Sequence, residues 1–397
     1  MDRYTRNRRV MIVAGEASGD LHGAELVKAM RAADAGVDFV GIGGARMADA
    51  GVHIAFAAQR LAVVGLTEVF ARLPDILKGM RIARDMLRSR RPRLLILIDF
   101  PEFNLKVAAA AKRQDIPVLY YISPQVWAWR RRRAKKISRL VDRMAVILPF
   151  EERFYRPYRL PVSFVGHPLL DQPHGPGRPA DASEPADGVT IGLLPGSRMK
   201  EVQRHLPVML EAAERIAAKR AGQVRVLVSL APEIDRSRFE AIVAARRGRA
   251  EVLTVEGGAD RVYRNCRLAV AVSGTVTLEA ALSATPMVII YRVSRTSYLL
   301  GKRLIKVPHI GLINLIAERE VVPELIQDDV NPGRIADTVE RLLNDESRLA
   351  AMKSALEALR DRLGGPGASR RVARIAFEMM AEEETGALRW PENGRIR

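Results

Sequence analysis

The sequence predicts an α/β protein of two Rossmann-like, doubly wound parallel-sheet domains facing a cleft, followed by C-terminal helices. Three observations predict it. Short apolar runs alternate with helical periodicity through most of the 397 residues. The pattern also begins twice. Val10–Ala14 runs into the turn Gly15-Glu16-Ala17-Ser18-Gly19-Asp20 and then a helical stretch, and Val189–Leu194 runs into Pro195-Gly196-Ser197-Arg198 and a helical stretch from Lys200 to Arg220. Between these two beginnings, Asp171 to Gly188 is rich in Pro, Gly, Asp and Ala and has no periodicity, as a linker would. The boundaries that follow are an N-terminal domain over 1–170, a linker over 171–188, a second domain over 189–345 and terminal helices over 346–397 that pack back on the N-terminal domain or on a partner subunit.

Taken in order, Val10–Ala14 reads as a strand, Leu21–Ala33 as a helix and Phe39–Ile42 as a strand ending in Gly43-Gly44. Arg93–Ile98 reads as a strand that is continuously apolar after its first residue, as expected of a parallel strand covered on both faces. Leu105–Arg113 reads as a helix, Val118–Ile122 as a strand, Arg130–Leu140 as a very basic helix and Arg143–Leu148 as a strand. After the linker come strand Thr190–Leu194, helix Pro207–Arg220, strand Arg225–Leu230, helix Arg236–Ala245 and strand Val252–Val255. Strand Leu268–Val272, helix Thr277–Ser283 and strand Met287–Tyr291 follow, and Ile335–Leu343 and Glu346–Glu378 read as two or three terminal helices.

Composition narrows the class. No window approaches the roughly 20 apolar residues of a membrane span. Val10–Ala14 is too short for a signal-peptide core despite the basic residues before it, and a single cysteine, Cys266, rules out an internal disulfide, so a cytoplasmic protein is expected. The net charge of +18 favours an anionic partner: nucleic acid, an anionic membrane surface or a phosphorylated substrate. No RRM, KH or helix-turn-helix signature accompanies that charge, which speaks against nucleic acid.

In open α/β sheets ligands sit beyond the carboxyl ends of the strands. Gly15–Asp20 occupies such a place, with Ser18 able to cap the next helix, but it is neither a full G-x-G-x-x-G nor a Walker sequence. Ser273-Gly274-Thr275-Val276-Thr277-Leu278-Glu279 follows an apolar strand and opens a helix, so its amides could hold a phosphate, or it could be an N-cap alone. Arg198, on the neighbouring first turn, could clamp a diphosphate in a bidentate way. Asp99 ends a strand under the turn Asp99-Phe100-Pro101-Glu102-Phe103-Asn104 and is either a general base or a helix cap. Ser123–Arg130 places Trp127 and Trp129 beside a basic run, which suits stacked bases, a sugar or acyl pocket, or plain packing. No H-E-x-x-H, C-x-x-C or metal-holding D-x-D is present, so no metal and no cofactor are expected.

Gly15–Asp20, Asp99–Asn104, Ser123–Arg130, Leu148-Pro149-Phe150-Glu151, Val165-Gly166-His167-Pro168, Leu194–Arg198, Ser273–Glu279 and Arg319-Glu320-Val321-Val322-Pro323-Glu324 together resemble the lipid-A-disaccharide synthase family. The resemblance runs from about Val10 to about Gln327, and the terminal helices carry no motif. This chain has Glu102 and Ile313 where Asp and Pro are common in that family, which touches the detail of two loops. The resemblance implies a GT-B fold and an inverting, metal-independent transfer. The donor would be UDP-2,3-diacylglucosamine and the acceptor 2,3-diacylglucosamine 1-phosphate (lipid X), giving a β-1,6-linked disaccharide 1-phosphate and UDP. It implies Asp99 as base. Gly196, Ser197, Arg198, Ser273, Gly274, Thr275, Glu279 and Asn314 would lie on the UDP-sugar side, and Glu16, Ser18, Asn104 and Trp127 on the acceptor side.

Acylated substrates require contact with a membrane. Leu66, Val69, Phe70, Leu73, Leu77 and Met80 recur at helical spacing beside Arg72, Lys78, Arg81, Arg84 and Arg88, a pattern that suits an interfacial helix or a helix packed on its own sheet. The expected location is therefore cytoplasmic and peripheral to the inner membrane, and a homo-oligomer is compatible with it. Rival readings within the fold are a UDP-N-acetylglucosamine epimerase and the peptidoglycan glycosyltransferase; the rival of another class is a nucleic-acid-binding protein.

Overall fold

A computed structural model of the protein describes residues 8–61, 73–171, 188–220, 222–246, 248–294, 298 and 307–385. The chain divides into two compact units. One comprises Met1–Asp171 together with Gly364–Arg397, and the other Gln172–Leu363. The helix Glu346–Arg362 thus falls in the second unit and Ala368–Thr385 in the first.

Among the described residues the first unit holds a seven-stranded sheet of β1 (Arg9–Ala14), β2 (Asp38–Gly43), β3 (His53–Ala57), β4 (Leu94–Ile98), β5 (Val118–Tyr121), β6 (Arg143–Val146) and β7 (Val162–Phe164). The order is β3-β2-β1-β4-β5-β6-β7 and every pairing is parallel. Alternate residues of each strand feed opposite faces. Met11, Val13, Leu95, Leu97 and Tyr120 join one core with the helices Leu73–Arg90 and Pro101–Lys112. Val10, Ile12, Leu94, Ile96 and Tyr121 join the other with Ala17–Ala33 and with Val372, Ile375, Ala376 and Met379 of the last helix. Burying both faces explains why the central strands read as unbroken apolar runs. Asp171 fastens the last helix to this unit, its carboxylate accepting from the amides of Gly367, Ala368 and Ser369 at that helix's N-terminal end.

Among the described residues of the second unit a six-stranded sheet joins β8 (Gly188–Leu194), β9 (Gln223–Leu230), β10 (Glu251–Glu256), β11 (Leu268–Val272), β12 (Met287–Tyr291) and β13 (Glu324–Ile326) in the order β10-β9-β8-β11-β12-β13, again all parallel.

Three local expectations are corrected. Residues 130–140 are not one helix: only Arg133–Ile137 is helical, between turns. The helix expected at Leu105 begins at Pro101, whose fixed φ suits the first helical position. The stripe that ends at Met80 is not uniformly exposed where it is described. Leu73 and Leu77 are 45% and 58% exposed, whereas Met80 lies in the sheet core. Leu66, Val69 and Phe70 lie outside the described residues.

Candidate active site

In the first unit β1 and β4 lie side by side with Ala14 opposite Ile98, and the strand order runs outward from this pair. The turns that follow them therefore leave the carboxyl edge together. Gly15 starts one and Asp99 the other. A Cβ added at Gly15 would fall on the Phe100 ring, so only glycine lets the two turns meet this closely.

Asp99 and Phe100 both adopt left-handed backbone, with φ of 44° and 47°. Each costs a non-glycine residue on the order of 1 kcal/mol. Three contacts hold the conformation. The Asp99 carbonyl accepts from the Tyr120 hydroxyl at 2.5 Å and from the Asn104 side-chain amide at 2.7 Å, and its N–H donates to the Tyr121 carbonyl at 3.1 Å. Asn104 also donates to the Ile98 carbonyl at 3.1 Å. Phe100 rather than Asp99 is the N-cap residue of the helix that follows.

The Asp99 carboxyl is pushed up to about 6, first by burial and then by the Glu16 carboxylate, with the Phe100 amide pulling the other way. It is thus ionised at neutral pH yet more basic than an ordinary aspartate. Glu16, whose charge reaches it, is exposed, and so is Ser18. Ser18 lies inside the first turn of Ala17–Ala33 and makes no cap, which corrects the capping expectation: the N-cap is Glu16, without a side-chain bond.

Two acceptor-side candidates are turned inward. Asn104 is fully buried and braces Asp99. Trp127 is 5% exposed, donates its indole N–H to Glu151 Oε1 at 3.1 Å and packs edge-on against Phe150. Trp129 is the exposed one of the pair, with the Arg130 guanidinium 4.0 Å from its ring centroid. Arg130 and Arg133 both donate to Glu102, Arg133 in bidentate fashion, and hold its carboxyl below the usual range.

In the second unit β8 and β11 are the central pair, with Leu194 opposite Ala271. The turns Pro195–Arg198 and Ser273–Thr275 leave its carboxyl edge side by side. Gly196 has φ +111°, a conformation that favours glycine, and Ser197 and Arg198 are exposed. Arg198 donates to Glu201 Oε1 at 3.1 Å. Gly274 and Thr275 are exposed at the start of helix Thr275–Leu282, and an added Cβ at Gly274 would meet nothing nearer than the Val272 carbonyl at 4.0 Å. First-turn amides and an open glycine form a place for a phosphate. Glu279, on the same helix, is half-buried, and its carboxyl is raised by burial and then by Asp260.

Asn314, the remaining donor-side candidate, is turned inward. It is fully buried, donates to the Val322 carbonyl and Glu324 Oε1, and accepts from the amides of Val321 and Val322. All its polar capacity goes into holding the loop before β13. Glu324 completes that loop by accepting from the amides of Ile310 and Gly311.

Sequence reasoning missed Tyr120, Glu151, His205 and Glu324 as individual residues. Glu151 and Glu324 each end a short motif, Leu148–Glu151 and Arg319–Glu324, which was the available signal. His205 had none: it receives the Arg292 amide on Nε2 at 3.3 Å and faces the Glu201 carbonyl through Nδ1, which ties the end of β12 to the helix after Arg198. Among the described residues no group of three or more His, Cys, Asp or Glu side chains could hold a metal ion.

Solved structures with this fold include MurG of Acinetobacter baumannii (TM-score 0.57, 15% identity, 93% of this chain and 99% of that one). The calicheamicin glycosyltransferase (0.58, 14%, 95% and 99%) and a putative UDP-N-acetylglucosamine 2-epimerase of Listeria monocytogenes (0.63, 13%, 99% and 100%) share it. Two parallel α/β units with ligand-ready turns at each switch point thus define the GT-B fold of glycosyltransferases. Residues 10–378 match the family model described as lipid-A-disaccharide synthetase. Relatives named lipid-A-disaccharide synthase are 47% identical in Syntrophus aciditrophicus (95% of this chain, 99% of that one), 46% in Geobacter metallireducens and 44% in Myxococcus xanthus (95% and 98% in both). The chain belongs to the lipid-A-disaccharide synthetase family, and it is a glycosyltransferase.

Proposed function

We propose that this enzyme transfers 2,3-diacylglucosamine from UDP to the 6-hydroxyl of 2,3-diacylglucosamine 1-phosphate, with inversion, in lipid A biosynthesis. Family membership supports the reaction. The observation that carries the mechanism is Asp99, a carboxylate held in left-handed backbone at the end of β4 with its pKa raised to about 6. The acceptor hydroxyl gives its proton to Asp99 as its oxygen bonds to the anomeric carbon. The bond from that carbon to the diphosphate oxygen breaks on the opposite side, and UDP departs with the electron pair. Gly196, Ser197, Arg198 and the turn Ser273–Thr275 hold the diphosphate, Arg198 supplying positive charge as the leaving group forms. Glu279 accepts from the ribose hydroxyls. Glu16 and Ser18 contact the acceptor sugar, while Asn104 and Trp127 shape its site from behind.

The acyl chains suggest where the enzyme meets its substrate. Leu73 and Leu77 are exposed at the start of helix Leu73–Arg90, and Lys78, Arg81, Arg84 and Arg88 are exposed along it. An apolar tip with a basic flank suits the anionic surface of a bilayer. No helix among the described residues is long and apolar enough to cross one. The location proposed is the cytoplasmic side of the inner membrane, by peripheral contact.

The rival UDP-sugar activities rest on fold alone, because MurG and the epimerase are only 15% and 13% identical to this chain. The deciding experiment offers the protein labelled UDP-2,3-diacylglucosamine with the diacyl acceptor, and UDP-N-acetylglucosamine with or without a peptidoglycan precursor. Disaccharide 1-phosphate from the first pair alone is expected. Transfer or epimerisation with UDP-N-acetylglucosamine, and none with the diacyl donor, would refute the proposal.

A further inference from the structure

Glu151 is 1% exposed, and the groups that hold its carboxyl are neutral hydrogen-bond donors. Burying such a group is costly unless its hydrogen bonds are met. They are met here by residues of two segments that follow strands β5 and β6. Oε1 accepts from the Trp127 indole N–H and Oε2 from the Leu148 amide, each at 3.1 Å, and the Ile147 amide and Ser123 hydroxyl lie close enough to pull its pKa down. Ser123 Oγ in turn lies 2.9 Å from the Tyr155 hydroxyl, and Tyr155 sits near Tyr120, whose own hydroxyl holds the Asp99 carbonyl. A buried polar path therefore runs from Trp127 through Glu151, Ser123 and Tyr155 toward the backbone of Asp99.

We propose that Glu151 is a positioning residue of the transfer reaction, which locks the turn Ser123–Trp129 to the loop Ile147–Phe150 and so holds the acceptor side in register with Asp99. This rests on the reading of Asp99 as base and of Trp127 as part of the acceptor's surroundings. Burial pushes the carboxyl up to about 8 against the pull of its donors, so at neutral pH it is largely the uncharged acid. A buried neutral acid is suited to a brace, since it joins several segments without the electrostatic cost of a lone charge. Packing alone would be served by an apolar side chain of similar size. The directed bonds to an indole and a backbone amide are what an apolar residue cannot supply.

The test compares Glu151→Ala, Glu151→Gln and Trp127→Phe with the unaltered enzyme. The quantities measured are acceptor KM, kcat, UDP affinity by calorimetry and tryptophan emission, with Asp99→Asn run alongside. Glu151→Ala leaves the indole and amide donors unpaired, so acceptor KM should rise roughly tenfold or more while UDP affinity stays within about twofold. Glu151→Gln keeps the length and one of the two acceptors and should recover part of that loss. Trp127→Phe, which keeps a ring but no N–H, should raise acceptor KM in the same direction and abolish the emission change that Glu151→Ala causes. A folded Glu151→Ala protein with unchanged acceptor KM overturns the proposal, and so does one in which UDP affinity falls in step with acceptor affinity. If Glu151→Ala does not fold, Trp127→Phe decides, and an unchanged acceptor KM there overturns it. A fully active Asp99→Asn enzyme would remove the reading beneath the proposal; an inactive one beside an unaffected Glu151→Ala would remove only the role of Glu151.

Discussion

Replacing Asp99 with asparagine should make the enzyme slower and more stable at once. The side chain keeps its size, and the backbone bonds from Tyr120, Asn104 and Tyr121 go to or from the main chain, so the turn should survive. Loss of a general base costs about 10²–10⁴ in rate. The stability change follows from linkage. The carboxyl rises from 3.8 to about 6 on folding, mainly through burial. A folded pKa above the unfolded one gives stability that is fully present below pH 4 and is lost as pH rises through 6. At pH 7 the ionised carboxylate therefore penalises the fold by up to about 3 kcal/mol, and a neutral asparagine escapes that penalty. The wild-type rate should climb with pH, with Asp99 about one-tenth ionised at pH 5 and about nine-tenths at pH 7. Removing the Glu16 charge with Glu16→Gln should move that acid limb to lower pH, because Glu16 is the second cause of the raised value. UDP release across pH 5–9 and urea unfolding at pH 5 and 7 would be measured for each protein. An Asp99→Asn enzyme within tenfold of wild-type activity, or one less stable at pH 7 than wild type, would refute the reasoning and leave Asp99 a structural residue.

Arg198→Ala should weaken UDP itself by roughly tenfold, since a charge-assisted hydrogen bond contributes about 1.5–3 kcal/mol and Glu201 already offsets part of the charge; unchanged calorimetry would take Arg198 off the diphosphate. Leu73→Ser with Leu77→Ser should lower sedimentation with anionic vesicles and raise KM for vesicle-borne acceptor, without altering melting or UDP affinity, because both side chains already face solvent. Vesicle binding equal to wild type would place the membrane contact elsewhere. Asn314→Ala strips partners from buried amides at Val321 and Val322 and should cost about 2–4 kcal/mol in denaturant unfolding; a loss of UDP affinity with no loss of stability would restore it as a ligand contact.

The chain announced its layered architecture because a parallel sheet covered on both faces demands unbroken apolar strands, and Leu94–Ile98 and Leu268–Val272 are such runs. The turns bearing Asp99, Arg198 and Ser273 were legible for a related reason: glycine, proline and small hydroxyl residues mark the strand ends, where the fold puts its ligands. Edge strands β3, β7 and β13 were not legible, being short and only partly buried. Nor could spacing tell which polar residue of a motif faces outward. Asn104 and Trp127 stand among motif residues, and Asn314 among those the resemblance puts on the donor side, but all three spend their hydrogen bonds inside the protein, and Glu151 gains its meaning from an indole 24 positions away. Periodicity is set by the nearest few residues, so the sequence by itself determined the layers and the places where chemistry can occur. Burial, raised carboxyls and buried braces come from partners far along the chain, and those only the tertiary structure decided.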